Sequence, residues 1–162
     1  MTDLRALLER VQKAQGPDRE LDAILSCSFI FPDLRPARPD DFDGKYGFQP
    51  GNIKTEHGFL MSGQYTGSID CAVELISVLL PDWWWSCGYC QLTNDATVRP
   101  RATVGPDFRA SQAAHDLVNK YKHFDEGFDG DRRDGNVPLA LLSAMLQGLI
   151  AKAEAEEGVG EF

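Results

Sequence analysis

The sequence predicts an α+β protein, a small and mainly antiparallel sheet between helical layers (an α/β/α sandwich). Segments with apolar residues at helical spacing outnumber those that look like strands. Each strand-like segment is short and bounded by turn residues. The 162 residues, 18.0 kDa, give room for a single core and one domain, 1–162.

Thr2 is placed to cap a first helix, in which Leu4, Leu7, Leu8 and Val11 recur at helical period. Gly16 and Pro17 stop it, and a second short helix carries Leu21, Ile24, Leu25 and Ser28 on one face. Together these read as a helical hairpin. From 32 to 57 the composition changes: Pro32, Pro36, Pro39 and Pro50 alternate with Asp33, Asp40, Asp41 and Asp43. No period survives there, so an irregular surface loop is expected. Residues 58–62 (GFLMS) read as a short strand.

Ser68 caps a third helix with an apolar stripe of Ile69, Ala72, Val73, Ile76 and Leu80, and Pro81 ends it. Aromatic and β-branched content marks strands at 83–92 and 97–104, joined by a hairpin turn at Asn94 and Asp95. An insert at 107–135 follows. It holds a helix over 111–124, with Ala114, Leu117, Val118 and Tyr121 on one side, and then an acidic, glycine-bearing loop. Asn136 caps the last helix, Pro138 fits its first turn, and Leu139, Leu142, Leu146, Leu149, Ile150 and Ala153 recur at helical spacing. The acidic tail, 154–162, is expected to fray.

Sixteen Lys and Arg against 25 Asp and Glu leave a net charge of −9. That sign argues against nucleic acid and against an anionic membrane surface as partners. The longest apolar run, 72–80, is interrupted by Glu74 and is too short to span a bilayer. The opening residues, MTDLRALLER, lack the apolar core of a signal peptide. A cytoplasmic location, with four reduced cysteines, is therefore the expectation.

Cys87-Gly88-Tyr89-Cys90 invites comparison with a dithiol oxidoreductase, which needs its reactive thiolate at a helix N-terminus. Trp83, Trp84 and Trp85 before it favour a strand, where residues three apart point to opposite faces, so buried thiols are expected. Cys27 and Cys71 are isolated, and His115 and His123 lie about two helical turns apart, which does not suit zinc. In the acidic loop a calcium register starting at Asp129 puts Arg133 fifth, Asp134 sixth and Ala140 twelfth, so it fails. No GxSxG, Walker or HExxH motif is present. The expectation is no enzyme, no cofactor and no metal. The Trp83-Trp84-Trp85 run reads by default as core, with Trp84 on the opposite face from its neighbours as the alternative anchor for a partner.

In three stretches the sequence resembles the phage ABA sandwich domain family: GPDRELDAIL at 16–25, YTGSIDCAVELISVLLPDWWW at 65–85 and VPLALLSAMLQGLIAKA at 137–153. The resemblance implies a phage or prophage protein with helical layers about a sheet, and it carries over no catalytic residue. The expected function is a non-catalytic binding protein of the host-cell cytoplasm. It docks on a host protein with a basic patch, or captures a small ligand, to antagonise host defence. An assembly accessory of the phage, as a homo-oligomer, is the alternative, and a CxxC oxidoreductase comes after it. Polar loops commonly carry binding residues, so the candidate partner-binding residues are Trp84, Asp125, Asp129, Asp131, Arg132 and Arg133.

Overall fold

The computed structural model describes residues 3–44, 47–90, 99–131 and 135–158. Among them are five α-helices and two three-stranded antiparallel sheets. The helices are α1 (Leu4–Lys13), α2 (Arg19–Phe29), α3 (Ile69–Leu79), α4 (Gln112–Lys120) and α5 (Val137–Glu157). Their starts follow from side-chain caps that accept otherwise unpaired backbone N–H groups. Asp18 accepts from the Leu21 amide at 2.9 Å, Ser68 from Cys71 at 3.3 Å, Ser111 from Ala114 at 3.2 Å and Asn136 from Leu139 at 2.8 Å. The cap of α1 is Asp3, not Thr2: its carboxylate takes the Arg5 and Ala6 amides. Either residue type caps well, and only the backbone geometry chooses between neighbours.

In the first sheet, β1 (Arg35–Pro36) and β2 (Asn52–Lys54) correct the expectation of an irregular loop over 32–57, and β3 (Phe59–Met61) is the strand expected at 58–62. Strands of two or three residues are too short to show alternation, and Pro36 masks the first of them. Ile53, fully buried, anchors this sheet. Between β1 and β2 a tight turn at Pro39–Asp41 is held by Asp41. Its carboxylate accepts two bonds from the Arg35 guanidinium, at 2.7 and 2.6 Å, and one from the Arg38 amide at 2.7 Å. Those donors, Arg35 foremost, hold the Asp41 carboxyl well below the usual aspartate range.

A group held low in the folded chain stabilises fully above its ordinary pKa, and the contribution is lost as pH falls below it. Amides of the first sheet should therefore exchange faster at about pH 3 than at about pH 5, after correction for intrinsic rates, and Asp41→Asn should erase the difference. Equal protection at both pH values in the unmodified protein would contradict this role.

The second sheet, in the order β4-β5-β6, joins β4 (Trp83–Cys90), β5 (Arg99–Pro106) and β6 (Phe128–Asp131). β4 and β5 pair along their whole length, from Trp83 opposite Pro106 to Cys90 opposite Arg99. The turn expected at Asn94 and Asp95 lies outside the described residues. β6 corrects the reading of the acidic stretch as loop throughout, because its residues 128–131 pair with 101–104 of β5. Its sequence, Phe-Asp-Gly-Asp, has little intrinsic strand preference, so the pairing partner decides. The expected 111–124 helix stops at Lys120, and a 3-10 turn, Lys122–Phe124, completes the stretch.

The core is organised around α5. One side of this helix packs on β5 and β6, and it also packs against α1 and α3. Its residues Leu139, Ala140, Leu141, Leu142, Ala144, Met145 and Leu146 are all buried, which requires apolar residues all round the helix. By length and composition α5 could cross a membrane, yet 56% of its most apolar window is buried within the protein. α4 packs against β5 as well, completing a helix–sheet sandwich. The fraying expected from 154 onward is corrected for the last turn of α5: the Tyr121 hydroxyl donates to the Ala155 carbonyl at 3.1 Å, and Arg5 pairs with Glu154.

Two of the stretches that carry the family resemblance meet at Thr66, which is fully buried and also touches Asn136, the cap of the helix that holds the third. Its amide donates to Asp22 at 2.8 Å, its hydroxyl accepts from the Asp18 amide at 2.8 Å, and its carbonyl accepts from the Asn136 side chain at 3.3 Å. Arg19 donates to Asp22 at 2.6 Å and to the Gly63 and Ser62 carbonyls at 2.7 and 3.1 Å. This polar knot ties α2, the chain after β3 and the start of α5 together. Its work is structural.

Candidate binding cleft

The tryptophans divide by position. Trp83 packs edge-on to Phe124 and stacks on Phe128, and its ring fills the space beside Gly148 of α5. It is core, as expected by default. Trp84 and Trp85 are 36% and 42% exposed, which corrects that default for both. β4 is an edge strand and α5 lies mainly over β5 and β6, so the apolar cover ends before it reaches them. Trp84 leans over two glycines. A Cβ on Gly105 would come within 2.8 Å of its ring, and one on Gly127 within 3.1 Å. Gly127 also adopts a positive φ of 74°, which turns the chain from the acidic segment into β6.

Next to that turn a cleft of about 680 Å3 opens, lined by Phe108, His115, Val118, Asn119, Asp125 and Glu126. His115, Val118 and Asn119 lie at positions i, i+3 and i+4 of α4 and so share one helix face. Phe124, fully buried, anchors the opposite wall, from which Asp125 and Glu126 emerge. The His115 ring is flanked by the Asn119 amide, 3.0 Å from Nδ1, and by Gln112 at 3.3 Å. Among the described residues no cation pairs with Asp125 or Glu126. Phe108 is half exposed, with the Arg109 guanidinium 5.2 Å from its ring centre. The cleft thus sets two carboxylates, an imidazole and an amide against an apolar wall, a combination that suits a cationic group on an apolar stem.

Of the residues singled out from sequence, the structure places Asp125 in this cleft and Trp84 against Gly127, two residues beyond it. Asp129 lies outside this cleft. It belongs to β6, where its carboxylate accepts from the Thr103 hydroxyl at 2.6 Å and its carbonyl accepts from the Gln147 amide at 2.6 Å. An acid on a strand surface is engaged by the neighbouring strand, and its place in an acidic run hides that. The Asp131 backbone pairs opposite Arg101, also in β6. Arg132 and Arg133 lie outside the described residues.

Phe108, His115, Val118, Asn119 and Glu126 complete the cleft, and none of them was among the candidate partner-binding residues. Helical spacing puts three of them on one face, but nothing in the spacing says that this face borders a cavity.

Cys87 lies on β4, half-buried and packed against the core, and Cys90 ends the same strand. Burial pushes the Cys27 thiol up from its ordinary range, away from reactivity. Among the described residues no three histidine, cysteine or carboxylate side chains gather as a metal ion requires.

No family model matches the sequence, and no curated protein or solved structure matches the chain.

Proposed function

We propose that the protein is a non-catalytic binding protein of the phage or prophage type, and that its α4 cleft docks on a basic patch of a host protein. The observation that carries this reading is the pair of acids, Asp125 and Glu126, without a cation partner among the described residues and facing an apolar Phe108 and Val118 wall. A lysine or arginine side chain satisfies both halves of such a surface, its stem on the rings and its head between the carboxylates. The net charge of −9 supports attraction of a basic partner at long range. The family resemblance supports the phage setting, the host cytoplasm as the place of action and antagonism of host defence as its purpose.

Salt-dependent capture from host lysate, followed by titration of the captured basic protein, tests this. The unmodified protein should bind at low salt and release as ionic strength rises. The double substitution Asp125→Asn with Glu126→Gln, both on the surface, should weaken binding about tenfold with an unchanged circular dichroism spectrum. Failure to capture a basic protein at low salt, or equal affinity of the double variant, would refute the reading.

A further inference from the structure

The edges of the two sheets are not guarded alike. A free edge offers unpaired N–H and C=O groups to any other strand, and proteins blunt it by brevity, charge or proline. β1 has two residues, one of them Pro36, and β3 has three. β6 has four, and two of them are Asp129 and Asp131. β4 is different: Trp-Trp-Trp-Ser-Cys-Gly-Tyr-Cys holds eight residues without a charge or a proline. Such a strand runs for roughly 26 Å, at about 3.3 Å per residue.

Which of its backbone groups are free follows from the ladder. The Asp107 amide donates to the Asp82 carbonyl at 2.8 Å, one step before Trp83 pairs with Pro106. Bonded and non-bonded pairs alternate along an antiparallel ladder. The backbones of Trp84, Ser86 and Gly88 therefore bond to β5, and those of Trp85, Cys87 and Tyr89 point away from it. Two prolines agree with this phase. Pro106 and Pro100 stand opposite Trp83 and Tyr89, where β5 has no N–H to give and none is called for. The free stretch begins after Trp83, whose own amide donates to the Leu80 carbonyl at 3.1 Å. Among the described residues no strand or turn takes up the outward groups of Trp85, Cys87 and Tyr89.

Neighbouring residues of a strand face opposite sides of the sheet, so the exposed Trp84 and Trp85 stand on different faces at this edge. A strand added there covers a tryptophan on each. The charge pattern says which strand. A net charge of −9 opposes self-association in general, yet a second β4 brings no carboxylate to the seam. A basic segment would find no acid in β4 to pair with. Turned end for end, β4 also matches itself: each outward N–H meets an outward C=O of the other copy, and both tryptophans meet only the neutral stretch after Trp85.

We infer that two copies of the chain join through β4, antiparallel about a twofold axis near Ser86 and Cys87, into one six-stranded sheet in the order β6-β5-β4-β4-β5-β6. One strand pair and four tryptophans make a small interface, so the dimer is weak and concentration-dependent. The inference stands apart from the docking cleft, whose residues lie on other elements.

Sedimentation equilibrium of the full chain, from about 1 μM to about 1 mM, tests the association, with hydrogen exchange by NMR at both ends of that range. The mass should rise with concentration toward twice 18.0 kDa. Over the same range the Trp85, Cys87 and Tyr89 amides should gain protection, while those of Trp84 and Ser86 are protected throughout. Ser86 is exposed, and Ser86→Lys sets two like charges close together at the axis. It should weaken the dimer at least tenfold with an unchanged circular dichroism spectrum, and Ser86→Ala should not. The Asp125→Asn with Glu126→Gln protein should dimerise as the parent does. A monomer throughout the range, or undiminished association of Ser86→Lys, would overturn the inference. So would a dimer whose Trp85 and Cys87 amides stay unprotected, because the copies would then meet through another face.

Discussion

Gly130→Ala should destabilise the protein by about 3 kcal/mol, at the upper end of overpacking effects. Gly130 is the point where β6 touches α5 most closely: a Cβ there would come within 2.0 Å of the Ala140 carbonyl oxygen and 2.9 Å of the Ala144 nitrogen. Both are helix backbone, so no side-chain rotation relieves the overlap. α5 must retreat from the sheet, and the contacts it makes with β5 and β6 loosen together. Gly16→Ala is the control, because nothing lies within 4 Å of its added methyl group, and it should stay within about 0.5 kcal/mol of the parent. Urea denaturation of the three proteins reads the result. A parent-like midpoint for Gly130→Ala would mean that the sheet and α5 are not in this contact.

Asp22→Ala should cost about 3–5 kcal/mol, the range for removing one partner of a buried ion pair. The Asp22 carboxylate is 1% exposed and satisfies both the Arg19 guanidinium and the Thr66 amide. Without it the Thr66 amide is buried unpaired, and Arg19 keeps only the carbonyls of Ser62 and Gly63. Arg19 keeps some contact with solvent, which favours the lower end of the range.

Asp22→Asn preserves the shape and isolates the charge. Burial pushes the Asp22 carboxyl up from its ordinary value, against the opposing pull of Thr66 and Arg19. The folded chain then holds that proton more tightly than the unfolded chain. The contribution is complete below the ordinary aspartate pKa and is lost as pH rises through the raised one. The stability of the parent relative to Asp22→Asn should therefore fall as pH rises from about 4. Parallel stability curves for the two proteins, or a rising difference, would contradict the assignment. Asp41 has the opposite sign, because Arg35 and the Arg38 amide hold its carboxylate in the charged form.

The candidate sites were legible only in part. Trp84 stood out because three consecutive tryptophans on one strand cannot all face the same core, and Asp125 because it heads an acidic run after a helix. Asp129 is in that same run but serves as a partner of Thr103, since pairing with β5 fixes its surroundings.

The sequence alone determined the helices and the long hairpin. Ser68 and Asn136 mark where two of the helices begin, and apolar spacing marks which way they face, because both signals act within one or two turns of chain. Only the tertiary structure decided that the last helix would lie at the centre, that two- and three-residue segments would pair into the first sheet, and that Phe128–Asp131 would become a strand. Elements that short have too few residues to favour their own conformation. They exist because distant partners supply their hydrogen bonds and bury their side chains.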